Sequence, residues 1–338
     1  MRPAAVIGVI WVVAVACGLL AEDQYLLTVA TATAFLGMFA QSWNLQSGFS
    51  GNLSVGHSVF ISVPVYVTLI LFQQAGVAPI IGGFVGVLAA VCVAAAIGAA
   101  TLRLRGPYFA LATLSASAVM LGLILHFSDL TNGPSGIAIP FTEDAPLNLE
   151  FVDVHVYYVI AVTMLAAVTV FVSIARRSKL GFYAAAIKSS EEAAAAAGIH
   201  VARVKVAVFC LSAASIGFGG VVYVFFIGFA DPNFLAGTTL SVEIALIAVI
   251  GGLDYLVGPI LGAVFYELID VTANASFGAS GGWDTMVLGF SVVLLVMTEP
   301  RGLCELFVRL WQRVRGRPQE AKFGTSVWSR LRERTRAT

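Results

Sequence analysis

Of 338 residues, 59% are hydrophobic and only 11% are charged, whereas an ordinary soluble domain is roughly 25% charged. That composition, with a mean hydropathy of +0.92, excludes a water-soluble surface, and the balance of 19 basic against 19 acidic residues excludes a global basic field for nucleic acid. The apolar runs are long and unbroken rather than short and alternating, which excludes an outer-membrane barrel and predicts an all-α polytopic membrane protein.

From the N-terminus, Met1-Arg2 leads into a run that predicts a first span near 4–20. Ala14-Val15-Ala16-Cys17 is similar to a lipoprotein cleavage site, but a first helix that acts as its own signal fits a chain that crosses repeatedly. Further spans are predicted near 26–45, 54–73, 77–101, 107–127, 155–175, 204–228 and 282–298. The stretch 239–273 is interrupted. Its first piece, 239–250, covers about 18 Å at 1.5 Å per residue, too short to cross alone, so a broken or re-entrant element is expected there. Eight to ten membrane helices are expected in a membrane domain over 1–300, followed by a basic tail over 301–338. Cys17, Cys92, Cys210 and Cys304 are scattered without C-x-x-C pairing, which suggests buried small hydrophobes rather than disulfides or a metal site.

Every Lys and Arg falls in four places: Arg2, Arg103 with Arg105, the stretch 176–205, and the tail from Arg301. The positive-inside rule puts all four in the cytoplasm, and the spans supply the even number of crossings this requires if 239–273 leaves and returns on the outer side. Ten of the 19 acids (Glu22, Asp23, Asp129, Glu143, Asp144, Glu150, Asp153, Asp231, Asp270 and Asp284) then lie outside. Both termini are expected inside.

Two glycine-rich breaks stand in opposite orientations. Gly48, Gly51 and Gly56 interrupt one apolar stretch; Gly251, Gly252, Gly258 and Pro259 interrupt another. Such paired breaks point to an inverted repeat around a central path, although glycines also let membrane helices pack closely. Polar residues gather at the same places. Gln41, Asn44, Asn52, Ser54 and His57 surround the first break, Thr113, Ser115 and Ser117 follow in a later helix, and Glu243 and Glu267 flank the second. Intramembrane ionisable groups face protein or a wet path. His57 either lines such a path or packs in the bundle, and its glycine-rich surroundings favour packing.

The inner stretch 176–205 ends Ser189-Ser190-Glu191-Glu192, five alanines and Gly198. Ser189 with Glu192 has capping-box spacing and Gly198 is placed as a stop, so a short cytoplasmic helix is expected. It would serve either as a solvated connector or as a smooth surface for docking. After Pro300, Leu303, Leu306, Phe307, Leu310, Trp311 and Val314 recur at helical spacing opposite Arg309, Arg313 and Arg315. That pattern predicts an amphipathic interfacial helix on anionic lipid, with an ATPase contact as the alternative.

Glu192-Ala193-Ala194, three residues, then Gly198 resembles the EAA-x-x-x-G loop by which membrane subunits of ABC importers dock onto their ATPases. The segments Gly51-Asn52-Leu53-Ser54-Val55-Gly56-His57, Leu102 to Leu114 (LRLRGPYFALATL), Leu130 to Ile137 (LTNGPSGI), Gly251-Gly252-Leu253 with Gly258-Pro259, and Pro300-Arg301-Gly302-Leu303 follow in the order found in LivM-type permeases of branched-chain amino acid ABC importers. The chain departs from the pattern in two places. Val208-Phe209-Cys210-Leu211 stands where many importers have I-x-L-P, and Ser62-Val63-Pro64 stands where a Gly-Ala pair is usual.

The resemblance implies a permease that forms half of a translocation path for branched-chain or related amino acids. Its partners would be a LivH-like second permease subunit, two cytoplasmic ABC ATPase subunits, an extracytoplasmic substrate-binding protein and membrane lipids, with no nucleic acid. It would reside in a prokaryotic cytoplasmic (inner) membrane. Ser189, Glu191, Glu192, Ala193, Ala194 and Gly198 are the expected ATPase-coupling residues; Asn44, Asn52, Ser54, Gly56, His57, Thr113, Gly251 and Gly252 are the candidates for the path. No Walker A pattern occurs, so ATP and Mg are expected on the partner subunits and no cofactor or metal on this chain. Urea, amides or other small solutes are alternative cargoes. An ion-coupled secondary transporter would need Glu243, Asp254 or Glu267 as its carboxylate. An enzyme is not expected, since His57, His126, His155 and His200 lack catalytic partners in the sequence.

Overall fold

The apolar runs fold as helices in a computed structural model that describes residues 3–101, 104, 106–139, 145–277, 283–299 and 302–314. Arg103, Arg105, Glu143, Asp144 and the tail beyond Val314 lie outside the described residues. In chain order the helices are α1 (Pro3–Leu19), α2 (Gln24–Ser50), α3 (Val59–Ala75), α4 (Pro79–Thr101), α5 (Pro107–His126), the single turn α6 (Ser128–Thr131), α7 (Val154–Arg177), α8 (Lys179–Ser189), α9 (Glu191–Ala196), α10 (Val201–Ile227), α11 (Pro232–Ala236), α12 (Thr238–Gly251), α13 (Gly258–Phe277), α14 (Trp283–Thr298) and α15 (Leu303–Val314). Helices α2, α4, α5, α7 and α10 are each long and apolar enough to cross a membrane, and α3 and α12 are shorter apolar helices. The chain is an all-α polytopic membrane protein.

Local chemistry sets the helix ends. The Asp23 carboxylate accepts from the N–H groups of Tyr25 and Leu26 at the start of α2, and Gly51, at φ 78°, closes that helix with its N–H on the Ser47 carbonyl. A residue with a Cβ is strained in this left-handed conformation. Helix α2 runs five residues past its predicted end because Gln46, Ser47 and Ser50 are buried within the bundle, so their polarity does not mark an exit into water. Correspondingly α3 starts at Val59 rather than near residue 54, and 51–58 is an irregular connection.

Helix α2 is the central post. Every residue from Ala34 to Ser50 is buried, and α7, α10, α12 and α13 all pack against it. Helices α3, α4 and α10 form the adjoining layer. Gly86 of α4 rests on the Pro64 backbone and Gly217 of α10 on the Pro64 ring. The missing N–H of Pro64 is therefore accommodated where glycines bring the neighbouring helices close. On the opposite surfaces Ile81, Phe84 and Leu88 of α4 and Met286, Phe290 and Met297 of α14 are exposed, as expected of faces solvated by lipid.

The LTNGPSGI segment folds against the end of α10. Asn132, at φ 60°, donates from its side chain to the Gly136 carbonyl, 2.6 Å away, and the two-residue strands β1 (Ile137–Ala138) and β2 (Phe229–Ala230) pair antiparallel.

Candidate functional site

The connection 51–58 is held by side chains. Trp43 Nε1 donates to the Ser54 carbonyl at 2.7 Å. The Val55 N–H donates to Thr113 Oγ1 at 3.0 Å, and Gly56 lies so close to the Thr113 carbonyl that no Cβ would fit. Two segments of the sequence pattern thus meet through a glycine.

His57 is fully buried. Its Nδ1 lies 2.9 Å from Ser54 Oγ and its Nε2 lies 2.9 Å from Ser212 Oγ on α10. Because the Ser212 hydroxyl donates to the Ser42 carbonyl at 2.7 Å, it accepts from the ring. Nε2 therefore carries the proton and Nδ1 accepts from Ser54, which is a neutral tautomer with both nitrogens satisfied. Phe60 and Phe209 pack edge-on against the imidazole at 5.4 and 5.9 Å. Beside it the Ser58 N–H donates to Ser241 Oγ at 2.7 Å, and the hydroxyls of Ser58 and Ser117 are 3.0 Å apart. Among the candidates for the path, Ser54, Gly56, His57 and Thr113 form one continuous hydrogen-bonded packing unit.

Asn44 differs. It is fully buried, as is Gln41 one turn earlier, and the oxygen and nitrogen of both amides lack hydrogen-bond partners among the described residues. Gly37, Gln41, Asn44 and Gly48 follow one helical face. Gly37 touches Ala263 of α13, and Gly48 lies against Asn44 Oδ1 and the Leu253 carbonyl. The glycine at each end of this face meets the α12–α13 hairpin.

The second break, 252–257, joins α12 to α13. Gly251 packs on the Gly258 carbonyl, Gly258 on the Gly252 carbonyl and Gly302 on the backbone of Gly252, so Gly251, Gly258 and Gly302 have no room for a Cβ. Asp254 is ion-paired with Lys188 of α8 at 3.0 Å, and the same ammonium donates to the Gly48 carbonyl at 2.7 Å. The Tyr255 hydroxyl donates to Glu305 of α15; that bond pushes the phenol pKa up to about 12, with burial adding to the shift. Glu243 of α12 and Tyr266 of α13 stand on the two arms of this hairpin.

The inner loop holds the expected short helix, α9, and before it a second helix, α8. Ser189 ends α8, its hydroxyl donating to Ala185. The cap of α9 is Ser190, whose Oγ accepts from the Ala193 N–H at 3.2 Å. The expected box between Ser189 and Glu192 does not form, because the true cap lies one residue later and places Ala193 at its third position. Gly198, at φ 84°, ends the element. Its N–H bonds Ala195 and the Ile199 N–H bonds Ala194, the double closure of a Schellman motif. Ala194 is buried with Ile199 packed beside it, whereas Glu192, Ala193, Ala195, Ala196, Ala197 and Gly198 are exposed. Glu191 pairs with Lys205, a buried residue of α10. A cleft of about 350 Å³ separates this loop from the end of α2, with Asn52, Lys188 and Glu192 on its walls.

Sequence reasoning missed Lys188 and Lys205. Lys205, between Val204 and Val206 in an apolar run, carried the signal of a charge that must find a partner.

A family described as branched-chain amino acid transport system / permease component matches residues 25–297. The chain is 26% identical over 302 residues to the high-affinity branched-chain amino acid transport system permease protein LivM of Escherichia coli, covering 81% of this chain and 69% of that protein. It is 25% identical, with the same coverage, to the protein so named in Salmonella typhimurium. A shorter stretch of 118 residues, 34% of each chain, is 28% identical to the fructose import permease protein FruG of Bifidobacterium longum. No solved structure matches.

Proposed function

The chain belongs to the family of branched-chain amino acid transport system permease components, and from that premise we propose that it is one membrane-spanning half of an ATP-driven importer. A second permease subunit completes the path, two cytoplasmic ATPases bind below, and an extracytoplasmic binding protein delivers the cargo. ATP and Mg belong to the ATPases. The chain resides in a prokaryotic inner membrane with the face bearing α8 and α9 in the cytoplasm, and both termini lie on that side.

The observation that carries this reading is the exposed surface of α9. Glu192, Ala193, Ala195, Ala196, Ala197 and Gly198 present a small, smooth knob on a helix fixed at both ends by Ser190 and the Schellman closure. A solvated connector needs no such uniform run of alanines, whereas a knob that enters a groove does. Closure of the ATPases on ATP pulls this knob, and the Glu191–Lys205 pair carries the displacement into α10.

Branched-chain amino acids are the proposed cargo, from the names of the LivM relatives. The FruG relative is named for fructose import, and urea or small amides are the alternative cargo. An ion-coupled mechanism is disfavoured by the family membership.

The test is reconstitution of the complex with Glu192→Lys and Gly198→Leu variants. Both are expected to insert normally, lose the ATPase subunits on co-purification and lose uptake. Full ATPase retention and uptake in both would sink the docking reading, and saturable uptake driven by an ion gradient without ATP would sink the importer itself. A ligand screen of the binding protein identifies the cargo.

A further inference from the structure

Lys188 connects elements far apart in the sequence. From α8 its ammonium reaches the Gly48 carbonyl at 2.7 Å and Asp254 at 3.0 Å. Its stem runs alongside Gly51, where a built Cβ would lie 3.0 Å from the lysine Cγ. One side chain on the coupling loop thus holds the end of α2 and the second break together. The loop it belongs to is the one through which force enters.

Directly above this contact are Gln41 and Asn44. They are fully buried, and none of their four amide atoms has a partner among the described residues. Buried amides without partners are strongly disfavoured, and these two lie on one face of α2 with Gly37 and Gly48. The α12–α13 hairpin lies along this face of α2: Gly37 meets Ala263 of α13, with Leu165 of α7 beside it, and Gly48 meets the Leu253 carbonyl. Lys188 fastens the break in that hairpin from below.

We propose that Lys188 is an inner latch: bound to Asp254 it holds the second break against α2 over Gln41 and Asn44, and movement of the coupling loop releases Asp254 and opens that seam to the cytoplasm. The latch rests on the proposed orientation and ATPase docking for the source of the movement, but its contacts stand without them. The pair is suited to release. The Lys188 and Asp254 side chains are 39% and 77% exposed, so water screens the attraction and readily takes over each partner. A pair anchored by one buried partner, as Lys205 anchors Glu191, transmits force; an exposed one yields to it.

The experiment reads opening directly. A permease carrying Asn44→Cys, with Cys17, Cys92, Cys210 and Cys304 replaced, is placed in inside-out vesicles with its partner permease but without ATPases or ATP, and labelled with a membrane-impermeant maleimide. Lys188→Met and Asp254→Asn are each expected to raise the labelling rate by about two- to fivefold, the range over which losing an exposed pair shifts a two-state equilibrium. The exchanged pair Lys188→Asp with Asp254→Lys is expected to return the rate towards that of the parent. Unchanged labelling in both single variants, or a change with Lys188→Met that Asp254→Asn does not share, overturns the latch. ATPase retention is measured on the same variants and is expected to be unaffected. The docking reading fails by ATPase retention in Glu192→Lys, and the latch fails by labelling, so the two outcomes are separable.

Discussion

Lys205, whose side chain is 1% exposed, is ion-paired with Glu191, the first residue of α9, whose side chain is 28% exposed. The burial is lopsided, and so are the consequences of breaking the pair. Glu191→Ala leaves an ammonium in the core without its carboxylate, at a cost of about 3 kcal/mol. Lys205→Met removes the buried charge and leaves a carboxylate that water reaches, at a cost of about 1 kcal/mol. Thermal unfolding of the two variants in detergent is expected to order them that way, although the pair they delete is the same. Equal losses would show that the contact is worth only its direct attraction.

The second break tolerates no side chain at its first glycine. A Cβ on Gly251 meets the Gly258 carbonyl and lies 3.0 Å from the Pro259 nitrogen; both are backbone atoms and cannot rotate away. Gly251→Ala is expected to cost about 3 kcal/mol and to lower the yield of folded protein. Gly122, on the exposed side of α5, has open space within 4 Å, and Gly122→Ala is expected to change stability by no more than about 1 kcal/mol, in the favourable direction. Fluorescence-detected size exclusion after a heating series separates the two.

His57 holds α10 to the 51–58 connection through Ser212 and Ser54. His57→Leu fills the space but strips Ser54 of an acceptor and Ser212 of a donor, an expected cost of about 3 kcal/mol. His57→Gln retains an amide oxygen and N–H and is expected to recover at least half of that loss. A thermal shift series that includes Ser212→Ala measures the coupling: the Ser212 change is expected to cost much less in the His57→Leu background than in the parent.

The positions of the spans were legible because apolar run length is a local property. The interrupted stretch was legible for the same reason, since α12 is too short to cross and a glycine-rich turn follows it. The end of α2 was misplaced by five residues, because polarity signals an exit only where the residue meets water, and Gln46, Ser47 and Ser50 meet other helices. The capping residue was misplaced by one. Ser189 and Ser190 are adjacent, and only the backbone path, extended at Ser190 with φ −163°, distinguishes them. Lys188 was unreadable as a connector, since its partners lie 140 and 66 residues away and neither carries a local pattern pointing to a lysine. The polar residues of the first break were legible as a group, but not the division within it between the satisfied set around His57 and the unsatisfied amides of Gln41 and Asn44.

That division makes a prediction in which stability and transport move in opposite directions. Gln41 is buried with both amide atoms unpaired among the described residues, so replacing it with a side chain of similar length and no polar atoms removes a desolvation penalty. Gln41→Met is expected to stabilise the protein by about 1 kcal/mol in a thermal melt. If the amide is satisfied in the open seam or by the cargo passing through it, the same change withdraws that stabilisation from the transport cycle, and uptake by the reconstituted complex falls while ATPase association holds. A residue that only packs the bundle gives the opposite pairing: a polar side chain placed there for structure would lower stability when removed and would leave uptake per folded molecule unchanged. Measuring the melt and the uptake on one preparation decides between them.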